Sequence, residues 1–211
     1  MGERGVRRSI LLLVSSMSAG GRSVRLGPRI VRILRGGGWE VAVRLTTPGD
    51  DPAALAAQVA SDSIVAALGG DGYLGAVARG CHDSGALFVP FPGGRGNDLC
   101  RALGIGTDPL ARARDVASLG FVSGTAGDEA VAGRARRATD ALASRVRPLD
   151  GMWVRSRDGV RLALGVVSVG LDARANILAN ESSLTSGPLA YGYGAFAALA
   201  SHEPTEIIAT V

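Results

Sequence analysis

The 211 residues are enough for one large domain or one and a half, and with 46% hydrophobic residues the chain can bury a sizeable core. A formal net charge of +4 favours an anionic partner, such as a nucleotide or an acidic membrane surface. All 23 cationic residues are arginines, scattered with few aromatic residues between them, so nucleic-acid binding is not expected.

The cysteines and histidines give no sign of a disulfide framework or of a metal site. Cys81 and Cys100 lie in predicted helices, and neither they nor His82 and His202 show metal-ligand spacing. The apolar run at residues 10–14 is too short for a signal peptide or a membrane span, and it is interpreted as the first buried strand. We therefore expect a cytoplasmic protein in a reducing environment.

Two helices and a strand are predicted after that first strand. Pro28 is expected in the first turn of a helix that runs to residue 35, where three glycines stop it. Residues 39–45 alternate enough for a second strand. Asp51 is then the expected N-cap, and Pro52 the first residue, of a short helix.

The most informative stretch begins at residue 64. Residues 64–68 form a continuous apolar run, as in a strand buried on both faces of a parallel sheet. Gly69, Gly70 and Gly72 end that run, and a helix is predicted over 74–81. A glycine-rich turn before a helix leaves outward-pointing N–H groups, and the helix dipole adds positive potential. This chemistry is suited to holding phosphate.

The glycines also fit the dinucleotide pattern G-x-G-x-x-G from Gly70 to Gly75. That fold requires an acidic residue about 20 positions later. The next predicted strand, residues 86–91, ends in Pro-Phe-Pro without a carboxylate, so the dinucleotide hypothesis fails. A tight turn without ligand remains an alternative for a single glycine loop. A second glycine loop at residues 92–98 favours a ligand, because loops at neighbouring strand ends line one crevice.

Residues 68–72, LGGDG, and residues 92–101, which follow P-x-G-x-G-N-D-L-x-R, resemble the diacylglycerol kinase catalytic domain family. The resemblance implies an α/β fold, with an N-terminal parallel-sheet nucleotide-binding domain at residues 1–146. The start of a β-rich sandwich domain would follow at 147–211. The implied activity is ATP-dependent transfer of the γ-phosphate to the hydroxyl of diacylglycerol or a related lipid, with Mg²⁺.

The resemblance also implies a set of nucleotide-binding residues. The family has an Asn-Pro-x-Ser-Gly loop after its first strand, where Ser15 and Ser16 replace the Asn and Pro. It also has a nucleotide-contacting Thr after the second strand, for which Thr46 and Thr47 are both candidates. The complete predicted set is Ser18, Gly20, Thr46, Thr47, Gly69, Gly70, Asp71, Gly72, Tyr73, Gly94, Arg95, Gly96, Asn97 and Asp98.

Several of these positions leave alternatives open. Asp71 would either bond backbone N–H groups, which we favour, or reach a Mg²⁺ shell. Tyr73 replaces a Thr of the family and would either stack on a base or fill space. Arg95 replaces a second Thr and would supply a charge-assisted bond to phosphate. Asn97 or Asp98 would cap the following helix, which is the simpler interpretation of that pair.

The second half of the chain departs from the family or is incomplete. Residues 121–146 are predicted to form an inserted amphipathic helix packed on the body, with a basic face on acidic lipid as the alternative. A hairpin turning at Asp158 and Gly159 is predicted next, with its second strand at 160–169. A covered helix at 187–201 and a strand at 206–211 complete the expectation, which implies that the second domain stops unfinished.

Two functional hypotheses remain at this point. One is an ATP-dependent lipid kinase; the other is a non-catalytic nucleotide- or lipid-binding relative. In the family the general base and the metal carboxylates lie further along the second domain, so no catalytic or metal-binding residue is assigned. The chain as given is expected to bind nucleotide without phosphorylating lipid efficiently. The expected partners are a nucleotide and a lipid at a membrane surface, to which the protein binds peripherally; a homodimer is left open.

Overall fold

A computed structural model describes residues 8–120, 144–156, 159–165, 167–182 and 187–201. Strands and helices alternate in the first part of the chain. They are β1 (Arg8–Ser15), α1 (Arg22–Gly36), β2 (Trp39–Thr46), α2 (Pro52–Ala57), β3 (Ile64–Gly69), α3 (Asp71–Ser84), β4 (Leu87–Pro92), α4 (Asp98–Ala102) and α5 (Pro109–Ala117). A hairpin and two helices follow: β5 (Met152–Ser156), β6 (Gly159–Ala163), α6 (Leu171–Glu181) and α7 (Gly187–Ala200).

The first four strands form a parallel sheet in the order β2-β1-β3-β4. Strand β1 pairs with both β2 and β3, for example Leu11 with Val65. Every residue of β3 is buried, as the continuous apolar run predicts. The expected α/β fold with a parallel sheet is therefore confirmed, and a separate antiparallel pair of strands, β5 and β6, follows it.

Helices cover the sheet on both faces. On one face, Ile30 and Leu34 of α1 and Val116 of α5 pack against the alternate residues of β1 and β3. On the other face, Leu74 and Val77 of α3 pack with the remaining strand residues and with α2 and α4. Two layers of apolar side chains thus hold the strands in place, and the loops that follow each strand rest on a rigid base.

The predicted N-cap of α2 is confirmed. The side chain of Asp51 accepts a hydrogen bond from the N–H of Ala53 at 2.9 Å, and Pro52 occupies the first turn of α2. Asp108 caps α5 in the same way, accepting from Leu110 at 2.8 Å. Each Asp-Pro pair therefore marks a helix start, because the carboxylate supplies an acceptor where the helix lacks one.

The predicted start of α1 at Pro28 is wrong. The helix begins at Arg22, after Gly21 in the left-handed conformation at φ 79°, and Pro28 lies within it. A proline inside a helix removes one backbone hydrogen bond and crowds the preceding turn. Here Ile30 and Leu34 are fully buried, and this packing offsets the loss at the proline.

By their backbone contacts, the residues divide into one compact unit up to residue 164 and a second from residue 165 onward. The β5–β6 hairpin lies with the first unit: the guanidinium of Arg79 donates to the carbonyl of Val160 at 2.7 Å, and the rings of His82 and Trp153 meet edge to face. The hairpin is confirmed, but its second strand ends at Ala163 rather than 169. The domain boundary between 146 and 147 stays a prediction.

In the second unit, α6 and α7 pack closely against each other, and a Cβ added at Gly194 would lie 2.9 Å from Ala179 Cβ. The predicted covered helix is confirmed on the face that packs on α6, where Ala190 and Ala198 are buried, whereas Leu189 and Phe196 are 65% and 76% exposed. No helix in the described residues is long and apolar enough to cross a membrane. The predicted helix at 121–146 falls, up to residue 143, outside the described residues, as does the predicted strand at 206–211.

Candidate functional site

The carboxyl ends of the four parallel strands, at Ser15, Thr46, Gly69 and Pro92, lie along one edge of the sheet. A cavity of about 410 Å³ opens at this edge, between the loops that follow β1 and β2 and the first turn of α3. Its lining residues are Ser15, Met17, Ser18, Thr46, Thr47, Pro48, Asp50, Pro52, Gly70, Asp71, Gly72, Tyr73 and Ala76. This is the position at which open α/β sheets bind their ligands.

The first turn of α3 presents backbone N–H groups to the cavity edge. Gly70 is the N-cap residue, and no side chain makes a capping hydrogen bond there. The N–H groups of Asp71, Gly72 and Tyr73 have no partner within the helix, because the first turn of an α-helix lacks the preceding carbonyls. A Cβ at Gly72 would meet no atom within 4 Å, so space for a ligand exists beside these donors. The arrangement suits an anion.

A hydrogen bond joins the loop before α1 to the loop before α3. The N–H of Gly70 donates to Ser18 Oγ at 3.1 Å. The Ser18 hydroxyl keeps its own proton, which remains available to a ligand. Gly20, in the same loop, has φ 63° and accepts a bond from Arg25 at its carbonyl, at 3.0 Å. Helix α1 also begins without a side-chain cap, after Gly21. Two uncapped helix starts are thus linked through Ser18.

The second glycine loop packs behind the first. The N–H of Gly93 donates to the Gly69 carbonyl at 2.8 Å, and a Cβ added at Gly94 would lie 2.6 Å from Gly70 Cα. Asn97, only 3% exposed and in the left-handed conformation, bonds both the N–H and the carbonyl of Gly94 through its side-chain amide. These contacts fix the loop shape.

None of residues 94–98 lines the cavity. Arg95 and Asp98 are exposed, and Gly96 is half-buried. The predicted nucleotide contacts of Gly94, Arg95, Gly96, Asn97 and Asp98 therefore stay predictions. What the structure shows is that this loop supports the backbone of Gly69 and Gly70.

Asp71 uses its carboxylate on the backbone. Its Oδ1 accepts a hydrogen bond from the N–H of Leu99 at 3.0 Å, which confirms the favoured interpretation of this residue. The prediction that Asn97 or Asp98 caps α4 is wrong. Asn97 is the N-cap residue but makes no capping bond, since its amide is turned back to Gly94, and Asp98 pairs with Arg101 at 2.7 Å. Asp71 supplies the missing acceptor from another helix.

Tyr73 spans the cavity wall between α3 and the end of β2. Its hydroxyl lies 3.1 Å from Thr46 Oγ1, which is 3.2 Å from the carbonyl oxygen of Val14. A carbonyl only accepts, so Thr46 donates to Val14 and Tyr73 donates to Thr46.

The ring of Tyr73 packs on Gly69 so closely that any Cβ there would overlap it. Burial raises the pKa of Tyr73. Here the side chain fills space, while base stacking stays a prediction.

Thr47 and Asp50 form the opposite rim of the cavity. The N–H and the hydroxyl of Thr47 donate to Asp50 Oδ2 at 2.8 and 2.7 Å, and these two bonds, the backbone one first, lower the pKa of Asp50. Arg44 lies 3.4 Å from the same carboxylate. Both carboxylates of the cavity, Asp50 and Asp71, are thus already bonded. Within the described ranges, no group of three His, Cys, Asp or Glu residues can hold a metal ion.

Sequence reasoning missed two buried hydroxyls near this edge. Ser16 Oγ and Ser23 Oγ are buried without a hydrogen-bond partner in the described residues, and the Ser23 hydroxyl lies against the position of a Cβ at Gly93. Ser23 sits in the first turn of α1, directly after the glycine loop. The pattern Ser-x-Gly-Gly-x-Ser at residues 18–23 would have indicated it, had α1 not been expected to start at Pro28.

Residues 9–127 match the family model described as the diacylglycerol kinase catalytic domain. The matched region is more than half of the chain and includes β1 to α5, hence every residue that lines the cavity. A comparison with curated proteins finds no match. Beyond residue 127, the expected resemblance to the second domain stays a prediction.

Proposed function

The chain belongs to the diacylglycerol kinase catalytic domain family, and from this premise we propose that it is an ATP-dependent lipid kinase. Membership of the family shows that the chain is a relative of lipid kinases. We propose the kinase activity itself, and as its acceptor the hydroxyl of diacylglycerol or a related lipid. The observation that carries it is the Ser18–Gly70 hydrogen bond, which ties the loop before α1 to the uncapped start of α3 at the cavity.

The phosphates of ATP would be held at the first turn of α3. The N–H groups of Asp71, Gly72 and Tyr73 are oriented donors at the positive end of a 14-residue helix. The Ser18 hydroxyl, which accepts from the Gly70 N–H at 3.1 Å, adds a further donor beside them. The charged Asp50 on the far rim disfavours phosphate there, so the anionic end of the nucleotide is expected beside α3.

Phosphoryl transfer depends mainly on positioning and on stabilising charge, with little covalent work for the protein. This chain's described residues supply the positioning through backbone donors that are rigidly held by the Asn97 loop. Mg²⁺ would neutralise phosphate charge when it arrives with ATP. Since Asp50 and Asp71 are bonded to backbone N–H groups, neither is assigned to the metal, and no residue is assigned as general base.

The sharpest test fills the space beside Gly72. Gly72→Leu places a side chain where the protein leaves at least 4 Å free, so the fold should persist while the phosphate position is blocked. In the wild type, MgATP at about 100 times its Kd should add roughly 2.7 kcal/mol to the free energy of unfolding. Gly36→Leu, at an exposed position with the same free space at the end of α1, is the matched control.

In a thermal melt, the wild type and Gly36→Leu should shift to higher temperature with MgATP, while Gly72→Leu should not. A wild type that does not respond to MgATP, or a Gly72→Leu variant that responds fully, would exclude this cavity as the nucleotide site.

A non-catalytic nucleotide- or lipid-binding relative is the second candidate. It is favoured by the engagement of both cavity carboxylates with backbone groups. The two candidates separate in an assay with labelled ATP, Mg²⁺ and diacylglycerol vesicles. Formation of phosphatidic acid that Gly72→Leu abolishes supports the kinase. Nucleotide-induced stabilisation without turnover supports the binding-only relative.

A further inference from the structure

Helix α1 carries a row of arginines on its solvent face. Arg22, Arg25, Arg29 and Arg32 follow one another at intervals of three or four residues, all are exposed, and they are named here the arginine stripe. Such spacing places side chains on the same side of a helix. Helix α1 contains no acidic residue, and the ion pairs found in the described residues, Arg44–Asp50, Arg79–Asp83 and Arg101–Asp98, do not involve it.

An apolar groove of about 610 Å³ runs beside the arginine stripe. Val24, Pro28 and Val31 of α1, spaced by four and three residues, form one wall. Val43 and Leu45 of β2 form the other and are 49% and 48% exposed. They are uncovered because β2 is an edge strand and the helices on this face, α1 and α5, pack over the inner strands. Glu40 is the single acidic residue of β2. Because successive residues of a strand point to opposite faces, Glu40 lies on the face of the sheet opposite to Val41, Val43 and Leu45.

We propose that this surface, the arginine stripe with the groove beside it, docks on an anionic lipid membrane. The stripe supplies four positive charges that meet no carboxylate of the described protein, which fits a surface of lipid phosphates. The groove supplies exposed valine and leucine side chains at the same side, which fit the boundary between headgroups and acyl chains. A polar partner would leave these apolar side chains unused.

Nucleic acid fits the surface less well. Proteins that hold nucleic acid strands add aromatic side chains for base stacking, and neither α1 nor the groove contains an aromatic residue. The inference concerns a surface other than the cavity and does not rest on nucleotide binding. It does give the proposed lipid kinase a way to reach its acceptor, because α1 begins at the sheet edge where the cavity opens.

The test measures binding of the whole chain, without nucleotide, to phosphatidylcholine vesicles with and without phosphatidylglycerol. Binding should require the anionic lipid and weaken with added salt. Arg29→Gln with Arg32→Gln removes two charges whose guanidinium groups make no hydrogen bond in the described structure. Since each arginine near an acidic surface contributes about fivefold to the partition coefficient, the double variant should bind roughly twenty-five-fold more weakly.

Two further variants make the result decisive. Arg155→Gln with Arg161→Gln, on the hairpin that packs on α3 across the sheet, removes the same charge and should bind like the wild type. Arg29→Lys with Arg32→Lys keeps the charge and should also bind normally. Equal losses in the α1 and hairpin variants, binding to uncharged vesicles, or equally tight binding to duplex DNA would each overturn the proposal. The MgATP-induced melting shift, measured in parallel, reports separately on the cavity.

Discussion

Asp71, the first residue of α3, caps α4 by accepting a hydrogen bond from the backbone N–H of Leu99 at 3.0 Å. The two residues are 28 positions apart and belong to the two different glycine-rich motifs. The carboxylate therefore ties the second motif to the start of the helix that borders the cavity. Because the N–H dipole offsets part of the negative charge of Asp71, this carboxylate repels an incoming phosphate less than a free carboxylate would.

Removing this carboxylate should destabilise the fold. Asp71→Ala leaves the Leu99 N–H without its acceptor, and the loss of a cap or charged hydrogen bond typically costs about 1–2 kcal/mol. Urea unfolding is the measurement. Asp98→Ala is the matched control, because that carboxylate is 73% exposed and pairs with the exposed Arg101, so its loss should cost under about 1 kcal/mol. Asp71→Asn, which keeps an acceptor oxygen, should recover part of the stability.

The close approach of the two glycine loops predicts a second effect. Gly94→Ala would place a Cβ 2.6 Å from Gly70 Cα, and backbone atoms on both sides cannot yield easily. Overpacking of this kind costs about 1–3 kcal/mol. Gly49→Ala, where a Cβ meets nothing within 4 Å, should leave the denaturation midpoint nearly unchanged. If Gly94→Ala were as stable as Gly49→Ala, the two loops would not be packed as described.

Tyr73 should contribute through its hydroxyl as well as its ring. Tyr73→Phe removes the 3.1 Å bond to Thr46 while keeping the packing on Gly69, so a loss of about 0.5–1.5 kcal/mol is expected. Tyr73→Ala should cost more, since it also opens a cavity. Chemical denaturation of both variants measures the difference. Equal free energies of unfolding for Phe and Tyr would mean that the hydroxyl pair contributes nothing to stability.

Local signals in the sequence predicted much of the fold. The apolar run of β3 is buried throughout, and the Asp51-Pro52 pair starts a helix as expected, because each signal acts within a few residues. The failures involve contacts between distant parts of the chain. The Asp71 cap of α4 and the burial of Ile30 and Leu34, which places Pro28 inside α1, are tertiary effects. Spacing along the chain does not reveal them.

In the candidate site, too, motifs along the chain predicted some of the residues, while tertiary contacts decide the placement of others. Ser18, Thr46, Thr47, Gly70, Asp71, Gly72 and Tyr73 were expected from motifs and do line one cavity. Residues 94–98 are also expected at this crevice, because loops at neighbouring strand ends often share one, and their nucleotide contacts stay a prediction. In the structure, Gly94 packs against Gly70, and the Asn97 amide turns inward to hold it there. The glycine motif was recognisable, but the side on which it packs depends on this three-dimensional contact.

The buried thiols predict a loss of stability at alkaline pH. Burial raises the pKa of Cys81 from 9.0 to about 12 and that of Cys100 to about 11. A pKa higher in the folded state means that the stabilisation is complete below about pH 9 and is lost as pH rises towards 12. Cys81→Ala with Cys100→Ala should flatten this decline, measured by denaturation under reducing conditions. A parallel decline in the wild type and the variant would contradict the assignment.

Arg95 supplies the last prediction, which asks whether the second glycine loop contributes to nucleotide binding at all. Its side chain is exposed, outside the cavity lining, and follows Gly94, whose backbone touches Gly70. If the guanidinium reaches the phosphates, Arg95→Ala should weaken ATP binding by about 1.5–3 kcal/mol and leave adenosine binding nearly unaffected, since the lost bond is to a charged group.

Arg101→Ala is the control, because that exposed arginine is paired with Asp98 at 2.7 Å and its loss should change neither affinity. Calorimetric titration of both ligands into the three proteins gives the comparison. Equal losses for ATP and adenosine would show that Arg95 only shapes the loop, and no loss for either would restrict the phosphate site to the first turn of α3 and Ser18.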